Sequence, residues 1–135
     1  MAVTVTVRNA MEATLVSVKP STPAIDAVKK MVDKDMWSIL VTSNGEYVGV
    51  MTERDYLRRV ILAGLDPKKT PVSKVMSSPL ITIEAERPLG EALRQMALKK
   101  VRRLYVTDKG KIVGRITQTR LMEKTLDVFL ALQSL

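Results

Sequence analysis

The pattern of apolar residues predicts alternating helices and short strands. After Pro23, apolar side chains recur at helical intervals and form one buried stripe. Two apolar runs follow between Ser38 and Thr52, and the Asn44-Gly45 pair that separates them is a strong hairpin signal. A further strand at 14–18 precedes Pro23 and has a counterpart at 80–83, and a second helical pattern begins at Glu53. The order strand, helix, strand, strand, helix indicates an α/β (α+β) fold.

This pattern occurs twice. Shifting the sequence by 65 residues aligns its two halves without a gap, and 12 positions within residues 11–52 are then identical. Random pairing would match at roughly three such positions. We interpret the chain as a duplication, with a first repeat at 9–66, a linker at 67–73 and a second repeat at 74–132. A unit of about 60 residues buries too little surface alone, so the copies are expected to share a core.

The composition excludes several kinds of chemistry. The sequence has no cysteine and no histidine, so disulfides, thiolate or imidazole metal ligands and histidine-activated nucleophiles are impossible. The carboxylates show no pairing on one predicted face. We therefore expect a protein that is not an enzyme and that has neither a catalytic site, nor a metal site, nor a cofactor.

The N-terminal residues alternate apolar and hydroxyl side chains, which predicts a short strand over residues 1–7 instead of a signal peptide. A membrane span needs about 18 consecutive apolar residues, and the sequence has no such run. We expect no membrane association and take the cytoplasm as the default location.

The net charge of +8 comes from the second half of the chain. Residues 1–67 carry eight basic and eight acidic side chains, whereas residues 68–135 carry fourteen basic and six acidic ones. The second half therefore either favours anions or has an ordinary solvated basic surface.

Several short motifs resemble a known family. Gly49-Val-Met-Thr52-Glu-Arg-Asp55 is similar to the Gly-x-x-Thr/Ser-x-x-Asp segment of cystathionine-beta-synthase-type (CBS) domains. Val75-Met76 before a strand and the strand at 103–106 fit the same family, so the chain resembles a tandem CBS pair, or Bateman module. The resemblance implies two β-α-β-β-α repeats related by a pseudo-twofold axis and packed sheet to sheet. It also implies clefts for AMP, ADP, ATP or S-adenosylmethionine, a sensing or regulatory role, and homodimers formed through helices.

The candidate ligand site of the first repeat lies where a strand gives way to a helix. Unpaired amides at a helix start and the Thr52 hydroxyl suit a phosphate, and the Asp55 carboxylate can accept both hydroxyls of a ribose. The same pair is typical of a capping box, and the two roles are compatible. The resemblance implies that the ligand also contacts the first strand of the opposite repeat. The further candidate residues are Ser38, Arg54, Met76, Ser77, Pro79, Leu80, Ile81 and Thr82.

The second repeat keeps Thr117 but has Arg120 where the first has Asp55. A guanidinium cannot accept hydrogen bonds from ribose, so this cleft is expected to be empty or to bind a bare anion. Arg115 shares a strand face with Thr117, and together with Arg103 it predicts a wall for the phosphates of a nucleotide held at Asp55. A solvated basic face is the alternative. We expect one nucleotide per chain.

Other function classes compete with the sensor interpretation. A pI near 9.9 and basic pairs such as Lys99-Lys100 could serve a nucleic-acid-binding protein, although the sequence has no aromatic stacking platform. A scaffold that binds no ligand is another alternative, and the apolar face of the last helix, 121–135, would then be its interaction surface. That helix is also the candidate homodimer contact. A separate regulated protein is the expected target of a sensor.

Overall fold

The computed structural model describes residues 5–134 as a mixed α/β protein with two three-stranded sheets. Two compact units are present. The first-repeat unit is Val16–Leu80. The second-repeat unit combines the N-terminal segment up to Leu15 with the chain from Ile81 onward. The predicted α/β class is confirmed.

In the first-repeat unit, strand β1 (Ser17–Val18) pairs in parallel with β2 (Ser38–Ser43), and β2 pairs antiparallel with β3 (Glu46–Thr52). Helix α2 spans Ala24–Asp33, and helix α3 spans Glu53–Tyr56 and continues into a π-helical turn at Leu57–Ile61. A 3₁₀ turn covers Val72–Lys74. The stripe predicted for α2 is largely buried. The core consists of Ala24, Ala27, Met31, Ile39, Val41, Met51, Val60, Val72 and Val75.

The second-repeat unit repeats this topology. Strand β4 (Thr82–Glu84) is parallel to β5 (Arg103–Asp108), which is antiparallel to β6 (Lys111–Thr117). Helices α4 (Leu89–Lys99) and α5 (Gln118–Gln133) complete the repeat, and a short N-terminal helix, α1 (Val7–Ala10), packs into the same core. The core consists of Val7, Ala10, Ile83, Ala85, Ala92, Met96, Leu104, Val106, Ile116 and Leu121.

Both hairpins turn as their sequences predict. Asn44 and Gly45 have φ values of 53° and 78°, and Lys109 and Gly110 have 52° and 78°. These left-handed conformations at both central positions are those of the turn that suits two twisted strands. A lysine therefore adopts a backbone conformation that asparagine adopts more readily.

Each unit is completed by a segment that precedes the other repeat in sequence. In the first-repeat unit, the Val72 N–H donates to the Thr22 carbonyl at 2.8 Å. In the second-repeat unit, the Val7 N–H donates to the Arg87 carbonyl at 2.9 Å. Since 7 and 72, and likewise 22 and 87, are 65 residues apart, the same bond is made twice. The repeat thus extends in structure beyond the aligned core.

The N-terminal prediction was wrong where it can be compared. The strand was predicted over residues 1–7, but Val7 already begins helix α1, because Thr6 and Asn9 cap a helix start: the Thr6 N–H donates to Asn9 Oδ1 at 3.0 Å. Thr6 keeps a single bridge, to Pro88. The first four residues lie outside the described part of the chain.

Helix α1 is also attached to its unit by charge. Arg8 donates to Glu86 at 2.6 Å and to Asp108 at 2.9 Å. These hydrogen bonds, first that to Glu86 and then that to Asp108, raise the pKa of the Arg8 guanidinium above its ordinary value.

Three predicted boundaries also shift. The first strands were expected at 14–18 and 80–83, but they cover only Ser17–Val18 and Thr82–Glu84. The preceding residues Val16 and Ile81 each accept one hydrogen bond from the neighbouring strand, whereas Leu15 and Leu80 already belong to the other unit. The last helix begins at Gln118, earlier than the predicted 121, because Thr117 caps it. Its predicted last residue, 135, lies outside the described residues.

Candidate functional site

Thr52 and Asp55 form a reciprocal cap at the junction of β3 and α3. The Asp55 N–H donates to Thr52 Oγ1 at 3.1 Å, and the Thr52 N–H donates to Asp55 Oδ2 at 3.0 Å. This arrangement is a capping box, so the pair has the helix-capping role that its sequence indicates. It occupies one oxygen of the carboxylate and leaves the other to its neighbours.

The second carboxylate oxygen is held by Ser77. The Ser77 hydroxyl donates to Asp55 Oδ1 at 3.0 Å, and Arg59 Nη1 lies 3.8 Å from the same oxygen. The Asp55 side chain is 14% exposed, whereas that of Arg59 is 48% exposed. A carboxylate offers about four acceptor positions, and the two hydrogen bonds use two of them. Asp55 is therefore a fixed, mostly buried carboxylate with acceptor capacity for two further donors.

The segment that carries Ser77 lies against strand β3. Ser77 and Val50 form an isolated bridge, in which the Val50 N–H donates to the Ser77 carbonyl at 3.0 Å and the Ser77 N–H donates back at 2.8 Å. Arg59 Nη1 donates to the carbonyls of Val75 and Met76 at 2.8 and 2.9 Å. These four hydrogen bonds fix the backbone on both sides of Met76.

Gly49 of the family motif permits this approach. A Cβ at Gly49 would lie 2.5 Å from Met76 Sδ and 3.1 Å from the Ser77 carbonyl oxygen. Gly114 occupies the matching position, and its Cβ would lie 2.7 Å from the Glu12 carbonyl oxygen. The glycine of the motif is therefore explained by close backbone approach.

The second-repeat unit contains the same framework with different side chains. The Arg120 N–H donates to Thr117 Oγ1 at 3.1 Å, so the threonine cap is retained. Glu12 and Arg115 form the bridge that matches Ser77 and Val50, with backbone bonds of 2.8 and 2.9 Å. The backbone of the site is thus duplicated.

Two candidate arginines of the second-repeat unit, Arg115 and Arg120, have partners within that unit. Arg115 Nη2 lies 3.3 Å from Glu12 Oε2, and the Arg115 side chain is only 12% exposed. Arg120 Nε donates to the Ala10 carbonyl at 3.3 Å, and its Nη1 lies 3.7 Å from Glu123 Oε2. A phosphate would have to compete with Glu12 for Arg115. The predicted anion-binding wall remains a prediction.

The other candidate residues are distributed between the two units. Ser38 begins β2, is buried and pairs in register with Thr52, and Arg103 likewise pairs with Thr117. Arg54 is exposed on α3. Met76, Ser77, Pro79 and Leu80 belong to the first-repeat unit, together with Thr52 and Asp55. Ile81 and Thr82 belong to the second-repeat unit, where both contribute to the pairing of this segment with β5.

Sequence reasoning missed three contacts: the Ser77 hydroxyl on Asp55, the Arg59 bonds to the backbone, and the Glu12–Arg115 pair. A signal for the first and third was present, because Ser77 and Glu12 are matched positions that differ, as do Asp55 and Arg120. No such signal marks Arg59. Within residues 5–134, no three acidic side chains gather as ligands for a metal ion.

Comparison with known proteins identifies the class. The CBS domain model matches residues 7–62 and 72–127, so the chain belongs to the CBS domain family and contains two such domains in tandem. An uncharacterized protein of Methanocaldococcus jannaschii is 34% identical over 113 residues, which is 82% of this chain and 61% of that relative. The chain therefore spans about three fifths of this relative's length. None of the helices formed by residues 5–134 has the length and apolar character of a membrane span.

Solved structures agree with this assignment. An uncharacterized conserved protein from Pyrococcus horikoshii is 36% identical, with a TM-score of 0.86, and the match covers 93% of this chain and 95% of that one. CBSX2, crystallised in complex with AMP, is 27% identical, with a TM-score of 0.77 and coverage of 91% and 97%. Neither relative is named as an enzyme.

Proposed function

We propose that this chain is a non-catalytic sensor module that binds one adenosine-containing nucleotide, with the ribose on Asp55. The observation that carries the proposal is the fixed carboxylate at the start of α3, whose two oxygens already accept from Thr52 and Ser77. Two acceptor positions are left on the carboxylate, and a ribose presents two neighbouring hydroxyls. CBSX2, with the same fold, binds AMP.

The second repeat supports a stoichiometry of one. At the position of Asp55 it has Arg120, which accepts no hydrogen bond and donates to the Ala10 carbonyl. AMP, ADP, ATP and S-adenosylmethionine share adenosine, so each remains a candidate ligand. Contact of the phosphate with the Thr52 hydroxyl and with Arg54 is part of the proposal.

Calorimetry with these four ligands tests the proposal on the wild type and on Asp55→Asn. The asparagine keeps an acceptor for the Thr52 cap but offers a neutral amide to the ribose, so affinity should fall by about tenfold or more. Asp127→Asn, which removes an equal charge from an exposed position on α5, is the matched control and should bind as the wild type does. If the wild type binds none of the four at millimolar concentration, or if Asp55→Asn binds as tightly, the proposal is wrong.

We further propose that a second copy covers the outer face of α5. Large apolar side chains on this helix are more than half exposed, Met122 at 69% and Phe129 at 61%. Burial of such a face in a homodimer would remove it from water. The exposed set is Met122, Leu126, Val128, Phe129, Leu130 and Leu132. A separate regulated protein and a cytoplasmic location complete the proposal.

A further inference from the structure

We infer that Ser77 is the positioning residue that sets the orientation of the Asp55 carboxylate for its ligand. The inference rests on the proposed nucleotide site and adds a specificity determinant to it. The direct observation is the 3.0 Å hydrogen bond from the Ser77 hydroxyl to Asp55 Oδ1.

The capping bond alone does not fix the plane of the Asp55 carboxylate. It holds Oδ2 at 3.0 Å from the Thr52 nitrogen, but the terminal torsion of an aspartate has a broad preference and permits rotation of the carboxylate plane. A second hydrogen bond, made to the other oxygen, removes that freedom. The acceptor positions that remain then point in fixed directions, which two adjacent ribose hydroxyls require.

Ser77 is suited to this role because its own backbone is held. The paired bonds with Val50, at 2.8 and 3.0 Å, fix the Ser77 amide and carbonyl. Arg59 donates to the two preceding carbonyls, and Gly49 leaves room for the segment to approach β3. The hydroxyl therefore starts from a defined position instead of a mobile loop.

The second-repeat unit provides an internal comparison. The position of Ser77 is occupied there by Glu12, and the position of Asp55 by Arg120. Glu12 directs its carboxylate to Arg115, and Arg120 donates to a backbone carbonyl. Both members of the pair have thus changed while the backbone bridge and the threonine cap have stayed. This is expected if the Ser77 hydroxyl is needed to orient Asp55 and is not needed to form the backbone bridge.

Calorimetry with AMP and with 2′,3′-dideoxy-AMP separates positioning from structure. In Ser77→Ala, AMP affinity should fall about tenfold, because Asp55 no longer presents its acceptors in one direction. The affinity for the dideoxy analogue, which has no hydroxyls to offer, should stay unchanged. Ser77→Thr keeps the hydroxyl and should restore AMP binding, and Ser78→Ala, which removes an exposed neighbouring hydroxyl, is the matched control.

A readout without ligand supports the same test. In the free protein, Ser77→Ala should speed hydrogen exchange at the Thr52 amide, whose acceptor on Asp55 becomes mobile, and should leave the Arg120 amide of the second unit unchanged. Equal loss of both nucleotides, unchanged AMP binding, or unchanged exchange at Thr52 would each overturn the inference. If the wild type binds AMP and depends on Asp55 while Ser77→Ala behaves as the wild type, only this inference fails. If the wild type binds none of AMP, ADP, ATP and S-adenosylmethionine, the proposed function fails first.

Discussion

The two glycines of the repeated motif allow a quantitative test of the close approach that builds each site. Gly49→Ala adds a methyl group 2.5 Å from Met76 Sδ and 3.1 Å from the Ser77 carbonyl oxygen. The sulfur is near the end of a flexible side chain and can move, and the carbonyl needs to shift by a few tenths of an ångström. Overpacking costs about 1–3 kcal/mol, and alanine recovers about 0.4–1 kcal/mol by restricting the unfolded chain. The net destabilisation should be about 1 kcal/mol.

Gly114→Ala should be worse. Its methyl group would lie 2.7 Å from the Glu12 carbonyl oxygen, which is backbone and accepts from the Arg115 N–H at 2.9 Å. Relief of this clash requires the bridge to open, with the loss of two backbone hydrogen bonds at about 0.5–1.5 kcal/mol each. We expect a destabilisation of about 2–3 kcal/mol, clearly larger than that of Gly49→Ala.

Urea unfolding followed by circular dichroism at 25 °C measures both changes. Gly90→Ala is the control: it lies in α4 with nothing within 4 Å of its added methyl group, so it should stabilise the protein by up to about 1 kcal/mol. The reasoning is refuted if Gly114→Ala is as stable as the wild type. It is also refuted if Gly49→Ala proves the more damaging of the two.

Two further predictions concern the second repeat and the last helix. Glu12→Ser, Arg115→Val and Arg120→Asp together restore the residues of the first repeat at the matched positions, so calorimetry should find two AMP per chain instead of one. A folded triple variant that still binds one AMP contradicts the role given to these residues. Phe129→Glu places a charge in the proposed apolar contact, so sedimentation should show monomers where the wild type forms dimers. Gln118→Glu at the exposed start of the same helix should stay dimeric, and a monomeric wild type would remove the dimer proposal.

The sequence was sufficient to predict the elements that depend on residues close together in the chain. The stripe after Pro23 repeats at helical spacing, and Asn44-Gly45 supplies the left-handed positions of a hairpin, so α2 and the β2–β3 turn are where they were expected. The capping box of Thr52 and Asp55 was also predictable, because it depends on two residues three positions apart.

The remaining features depend on contacts between distant residues. The bridge of Ser77 with Val50 consists of one residue on each side, and a single pair leaves no periodic signal. The resemblance assigned Met76 and Ser77 to the first strand of the opposite repeat, whereas the structure places them in the unit of Asp55. The contact of Arg115 with Glu12 could not be predicted either, because the two residues are 103 positions apart and a single pair leaves no periodic signal.

Because each compact unit includes a segment from the other repeat, a sequence repeat and a folded unit are different stretches of the chain. The CBS domain model starts its two matches at residues 7 and 72, at the beginning of the segments that complete the neighbouring unit. The sequence repeats and the compact units therefore have different boundaries along the chain. A fragment that ends at residue 66 would therefore contain the whole first repeat but would lack Val72 and Ser77, which hydrogen-bond to Thr22 and to Asp55. To express one half of this protein, we would choose the bounds of a compact unit, such as Val16–Leu80, instead of the bounds of a sequence repeat.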